Sequence, residues 1–205
     1  RRECKYKTGR VLISLLYALV LDLNRLVDTA HLQVDTVFNR LVGFDGYPHQ
    51  STFSRFLKLF TVSTAKIIQH CHNLVRSKVR SDFKDYIRLT LDLDSHVETV
   101  YGNQQRAKVG YNPKKPGRKS FHPLLCFVGE TRDFLWGRFR PGNRYTAQGA
   151  VGFLRECLKM LPGEIKEIFL RGDCGFFDNK FLGKAEKGGI KYAIAAKLYS
   201  TIQAM

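Results

Sequence analysis

Residues 89–96 read LTLDLDSH, and this alternation of leucine with polar side chains constrains the chain more than any other stretch. Only an extended strand sorts such a sequence, because successive side chains there point to opposite faces. Leu89, Leu91 and Leu93 then share a face that favours burial, and Thr90, Asp92 and Asp94 share the other. Two carboxylates on one face repel unless that face meets water or a cation. The fold must therefore contain a sheet with one apolar and one acid-bearing face, and the rest of the sequence has to say what the acids meet.

The hydrophobic period changes near residue 86. Upstream, apolar residues recur three and four apart through Leu12, Leu15, Leu16 and Leu19, then Val34, Val37, Phe38 and Leu41, then Phe53, Phe56, Leu57 and Phe60, which predicts helices over 11 to about 80. The stretch GFDGYPHQS at 43–51 is a turn, with Ser51 placed to cap the next helix. Two helices about this break, the second opening with Gln50, Ser51, Thr52, Ser54 and Arg55, fit a helix-turn-helix that reads DNA. They fit an ordinary helical hairpin equally well.

Downstream, strands are predicted at 87–101 (one long strand or a pair), 121–128, 134–140, 165–172 and 190–196, with a turn at 129–133. A helix over 146–161 ends at Pro162-Gly163, and a short helix capped by Asp178 stops at Gly188-Gly189. The fold class is thus α/β: a helical domain over 1–85, and a mixed sheet over 86–205 of three antiparallel strands followed by helix–strand–helix–strand. This is the element order of a ribonuclease H-like fold. In that arrangement the first and fourth strands lie parallel and adjacent, so Asp94 and Asp173, the acid ending FLRGD, would come together.

A balance of 34 Lys+Arg against 18 Asp+Glu gives a net charge of +16 and a pI near 9.8, which points to a polyanionic partner. The hydrophobic share of 44% excludes a disordered chain. Five cysteines, odd in number and widely spread, suit a reducing cytosol. The triplet His70-Cys71-His72 lacks a second ligand pair, which argues against structural zinc. VLISLLYALVL at 11–21 imitates a signal peptide but is about half the length that spans a bilayer, lacks a small-residue cleavage site and is read as a buried helix; no membrane partner is expected. A chain that opens on Arg1 and stops at Met205 is expected to be a fragment.

Two carboxylates from separate strands of a basic protein suit a divalent cation, and oxygen ligands select Mg²⁺ or Mn²⁺. Two metals held this way can activate water or a 3′-hydroxyl and stabilise the leaving oxygen of a phosphodiester. The segment 102–123 follows the acid strand directly and carries Arg106, Lys108, Lys114, Lys115, Arg118 and Lys119 with no acid, interrupted by Tyr111, Phe121 and prolines. Cations beside aromatics suit phosphate contacts and base stacking.

The segments LDLDSHVETVYGNQ, VGYNPKKPGRKSFHPLL, RFRPGNRYTAQGAVGFL and FLRGDCGFF resemble the catalytic core of bacterial insertion-sequence DDE transposases, the group with a YG-x-Q and GYNPKK-GR-S-[YF]HPLL signature. The resemblance covers about 88–198 and, more weakly, HQSTFSRFL in the helical region. It implies that Asp94 and Asp173 are the first two acids of the triad and bind the metals, and that Asp92 is a neighbour. The third acid of such enzymes comes from a helix beyond the fifth strand, so none is expected in this chain; Glu186, between the fourth and fifth strands, is no substitute. His96 and Cys174 stand where the family has Thr or Ser and commonly Ser.

By the same resemblance the intact protein would bind double-stranded terminal inverted repeats, cut with metal-activated water and join the 3′-hydroxyl to target DNA. A homodimer on the DNA ends and a cytoplasmic, nucleoid-associated location in bacteria are implied. Phosphates would be approached by the 102–123 segment, by Arg140, Asn143 and Arg144, and by Arg55 of the helical region. Two alternatives are a nuclease of the same fold without strand transfer and a catalytically inactive DNA-binding remnant.

Overall fold

The computed structural model describes residues 5–79, 86–163 and 165–197, and the chain divides into two compact units, Arg1–Ile68 and Gln69–Met205. In the first unit, α1 (Thr8–Val20), a 3-10 turn (Leu26–Thr29), α2 (Ala30–Val34), α3 (Thr36–Leu41) and α4 (Gln50–Leu57) precede α5 (Val62–Val79), which runs on into the second unit. Its core gathers Val11, Leu32, Tyr47 and Phe53 with Leu15, Phe38 and Phe56.

Several expectations for this unit are corrected. α1 is buried along one face only: Val11, Ser14 and Ala18 are enclosed, whereas Leu12, Leu16 and Leu19 are exposed. The inward stripe is therefore one residue out of phase with the predicted one. The helix predicted across Val34–Leu41 is split at Asp35, whose Oδ1 accepts from Phe38 N at 2.8 Å and caps a new helix. Asn39 then ties the two pieces, donating to Leu32 O and Asp35 O, each at 2.7 Å. The cap of α4 is His49 rather than Ser51: His49 Nδ1 accepts from Ser51 N at 3.2 Å.

The second unit is built on a five-stranded sheet in the order β6-β5-β1-β7-β8, from β1 (Arg88–Ser95), β5 (Leu124–Val128), β6 (Phe134–Arg138), β7 (Glu167–Gly172) and β8 (Lys191–Ile194). β1 pairs antiparallel with β5, and β5 with β6; β1 pairs parallel with β7, and β7 with β8. The two parallel connections run through α6 (Ala150–Leu158) and α7 (Asn179–Lys187). Leu89, Leu91 and Leu93 lie in one core with Phe153, Leu154 and Cys157 of α6 and Phe181 and Ala185 of α7. Each large apolar side chain removed from water contributes roughly 1.5–3 kcal/mol. Asp178 caps α7, its Oδ1 accepting from Lys180 N and Phe181 N at 3.0 and 3.1 Å.

The strand predicted across 121–128 is two strands. Pro123, which has no N–H to give a ladder, separates β5 from β4 (Lys119–Phe121). β4 belongs to a second, three-stranded sheet, flanked by β2 (Glu98–Thr99) and β3 (Lys108–Val109). The basic segment expected to be a loop is thus partly sheet.

The unit boundary falls at 68/69 and not at 85/86 because the later part of α5 packs on the edge strand β6. Gln69 Oε1 accepts from Gly137 N at 2.8 Å, satisfying an amide the open edge would leave free. The rings of His70 and His72 lie against Trp136 and Phe134, and Arg76 Nη2 donates to Met160 O at 3.3 Å. His70 and His72 thus pack on β6, while Cys71 between them is exposed. Among the described residues no helix is long and apolar enough to cross a membrane.

Candidate metal and nucleic-acid site

Parallel pairing of β1 with β7 sets Asp92 opposite Arg171 and Leu93 opposite Gly172. One step further along both strands come Asp94 and Asp173, and Asp173 keeps extended backbone (φ −76°, ψ 177°). Neighbouring strands lie about 4.8 Å apart, and residues in register point to the same face. Continued one step past the last paired residues, this register brings the two aspartates to the same end of the parallel strands, on the face opposite the leucine core. Both are exposed. Asp94 Oδ1 accepts from Ser95 N at 2.7 Å, and Asp173 Oδ1 from Gly175 N at 2.9 Å. Neither carboxylate is in an ion pair with a described residue.

Asp92 has a different fate. Arg171 grips it with two parallel bonds, Nε to Oδ1 at 2.6 Å and Nη2 to Oδ2 at 2.7 Å, and this pairing raises the guanidinium pKa. Such a fork fixes a carboxylate in both position and charge. Of the two acids in LTLDLDSH, one is neutralised by the facing strand and the other is left open beside Asp173. Sequence reasoning missed Arg171. The signal was present, since placing Asp94 beside Asp173 puts Arg171 beside Asp92 two residues earlier.

The donor set fits a hard divalent cation: two exposed carboxylates, in register, with no cation already paired to them. Among the described residues, no group of three or more His, Cys, Asp or Glu is arranged to hold a metal. Glu186 lies on α7 with Oε1 accepting from Tyr192 Oη at 2.7 Å.

The cations of the basic segment stand free of the core. Arg106, Lys108, Lys114, Lys115, Arg118 and Lys119 are exposed, as is Tyr111. The Arg118 guanidinium lies 5.7 Å from the centre of the Tyr101 ring. The buried Asn112 shapes the segment, Nδ2 donating to Thr99 Oγ1 at 2.8 Å and Oδ1 accepting from Lys115 N at 3.1 Å. Gly110 permits a close approach of two backbones: a Cβ there would lie 2.0 Å from Gly142 O. The segment is thus locked to the PGN turn at 141–143.

Arg140 is corrected. It is only 6% exposed, and Nε donates to His122 O at 2.8 Å while Nη1 donates to the carbonyls of Tyr145, Thr146 and Gln148. Burial, with Arg138 and Arg144 nearby, lowers its pKa to about 10, so it stays charged at neutral pH but is not free to meet a phosphate. Asn143 and Arg144 are exposed. Arg55 is exposed on α4 in the first unit, lining an open groove of about 970 Å³ with Lys5, Tyr6 and His49.

With this geometry in view, comparison with known proteins is informative. The family model described as Transposase DDE domain group 1 matches residues 1–205, and the chain belongs to that family. Among curated proteins none matches. Solved structures similar to this chain include a piggyBac transposase synaptic complex with hairpin DNA (16% identity, 100% of this chain and 46% of that one, TM-score 0.46). A Drosophila P element transposase strand transfer complex is similar at 10% identity, over 92% of this chain and 37% of that one, with TM-score 0.42. The Mos1 mariner paired end complex with Mn follows at 10% identity, over 96% and 61%, with TM-score 0.38. The chain spans about half the length of the first of these.

Proposed function

We propose that this chain is the N-terminal and partial catalytic portion of a bacterial insertion-sequence transposase, built on a ribonuclease H-like core. Asp94 and Asp173 are its metal-binding catalytic acids. The reading is supported by the register of β1 and β7, in which each acid directly follows the last paired residue of its strand, and by the fork through which Arg171 holds Asp92. A pair of Mg²⁺ or Mn²⁺ ions, when bound, supplies activation of the attacking oxygen and stabilisation of the leaving one. The chain's own residues do the positioning: the acids hold the site at the strand ends, and the exposed cations from Arg106 to Lys119, with Asn143 and Arg144, steer and grip the DNA backbone. Within the helical unit, Arg55 contacts DNA phosphates. Among the described residues no third acid joins them. The intact protein acts on terminal repeats and target DNA, as a dimer on the paired ends, in the bacterial cytoplasm.

The test combines binding with chemistry. Titrated with Mn²⁺ and followed by electron paramagnetic resonance, the chain binds the ion, and Asp94→Asn or Asp173→Asn weakens binding by about tenfold or more, as expected on removal of one ligand. On repeat-ended duplex DNA it binds without cutting, and a longer chain carrying the third acid both cuts and joins strands. Cutting without joining by the longer chain would favour a nuclease. Mn²⁺ affinity unmoved by either substitution would falsify the site.

A further inference from the structure

The buried Arg140 and the hydroxyl of Thr146 have no place in the reading above, yet the turn they build reaches the residues next to the acids. Thr146 Oγ1 is 2.8 Å from Ser95 Oγ, on the residue that follows Asp94. On β7's side, the point where a Cβ on Gly175 would sit is 2.8 Å from Thr146 Cβ and Oγ1 and 2.9 Å from Asp173 Oδ1. One side chain thus bonds Ser95 at the end of β1 and lies close to Gly175, in the turn that follows the second acid. No ladder bond is available there, because pairing of β1 with β7 ends at Leu93 and Gly172.

Thr146 is itself held from behind. Arg140 gathers the carbonyls of residues 145, 146 and 148, and its Nε reaches His122 O. His122 closes the ring: its Nδ1 lies 2.6 Å from Arg144 O, and because a carbonyl can only accept, Nδ1 carries the proton. A guanidinium with four carbonyl acceptors, enclosed by protein, is a rigid organiser of backbone. The turn it organises presents one hydroxyl inward to the strand ends and leaves Arg144 exposed.

We infer that Thr146 and Arg140 are positioning residues for the acid pair: Thr146 spans the ends of β1 and β7 and fixes the separation of Asp94 from Asp173, and Arg140 holds Thr146 in place. This rests on the metal reading of those acids. Groups that orient metal ligands typically govern affinity by about 10–100-fold, so the effect is measurable without any DNA chemistry.

The experiment compares the chain with Thr146→Val, Arg140→Gln and Arg144→Ala, measuring Mn²⁺ affinity, the salt dependence of duplex DNA binding and amide hydrogen exchange at Gly175. Thr146→Val keeps the shape and loses only the hydroxyl, so it keeps the test open should Arg140→Gln fail to fold. Expected for Thr146→Val is Mn²⁺ binding about tenfold weaker, faster exchange at Gly175 and an unchanged salt slope. Arg140→Gln, if folded, matches or exceeds it, whereas Arg144→Ala leaves Mn²⁺ binding alone and lowers the slope by about 0.9. Wild-type Mn²⁺ affinity and wild-type exchange in Thr146→Val overturn the inference. So does an Arg140→Gln protein that loses slope as Arg144→Ala does but keeps its Mn²⁺ affinity. If the unaltered chain binds no Mn²⁺, the metal reading falls, and faster exchange at Gly175 in Thr146→Val still supports the bridging role of Thr146.

Discussion

Two basic segments flank the acid pair, and they use their cations in opposite ways. From Arg106 to Lys119 six cations face solvent around a small sheet shaped by the buried Asn112. In the turn from Arg140 to Gln148 the first cation is enclosed and engaged by carbonyls through Nε and Nη1, while Arg144, four residues on, is exposed. A cation beside an acid site is thus not one kind of residue. Where local backbone supplies acceptors it organises structure, and where it does not the charge stays available to a polyanion.

The sharpest separation comes from replacing Lys114, Lys115, Arg118 and Lys119 together by alanine. The log–log salt slope of duplex binding is expected to shallow by roughly three to four, at about 0.9 for each phosphate no longer neutralised, with the melting temperature held. An unchanged slope would make the segment ordinary solvated charge. Arg140→Ala should do the reverse, removing a donor shared by four carbonyls, of which Tyr145 O keeps Gln148 N, and costing about 3 kcal/mol or more in urea unfolding. A variant as stable as the parent would place Arg140 among the surface cations after all. Smaller again is Asn112→Ala, which removes two side-chain bonds and is expected to cost about 1–3 kcal/mol, with a partial flattening of the slope because the cations above it lose their frame. A full slope with lowered stability would separate the frame from the binding.

The smallest effect is a pH dependence confined to the Arg140 side. Burial lowers the pKa of His122, assisted by the charge of Arg140 and opposed by the bond to Arg144 O. The folded form therefore binds its proton less readily than the unfolded chain, whose His titrates near about 6.5. Stability from this group is complete above that pH and declines as pH falls through it. Amides of 144–148 should exchange faster at a pH of about 5.5, one unit below that value, than the intrinsic pH dependence accounts for, while those of 108–109 do not. Equal acceleration in both segments would assign the effect to global unfolding.

Much of the core was legible in the sequence because its signals are local. The alternation of LTLDLDSH, the Asp178 cap and the Pro162-Gly163 stop each act within a few residues, and the elements they predict stand within a few positions of the observed ones. What was not legible depends on distant partners. The role of Arg140 is set by carbonyls of a turn whose path no pattern announces. The cap at Asp35 competes with a continuous apolar period and wins through a single side-chain bond. The early unit boundary follows from the reach of Gln69 to an amide 68 residues away. For the acid pair, the strand order was inferred from element succession, whereas the fork between Asp92 and Arg171 required the register itself.

That register also bears on when the site comes into being. Asp92 and Arg171, like the acids beside them, are 79 residues apart in the chain, and their parallel pairing closes a loop that holds β5, β6 and α6. Pairings of such separation arise late, because their loop-closure entropy must be met first. Sliding β7 by one residue would set Asp94 against Gly172 and turn Leu170 out of the core, so a misregistered chain would lose buried apolar surface and build no site. In a refolding time course, uptake of Mn²⁺ should therefore lag behind helix formation and coincide with the final compaction of the sheet, making the ion a clock for the last step of folding.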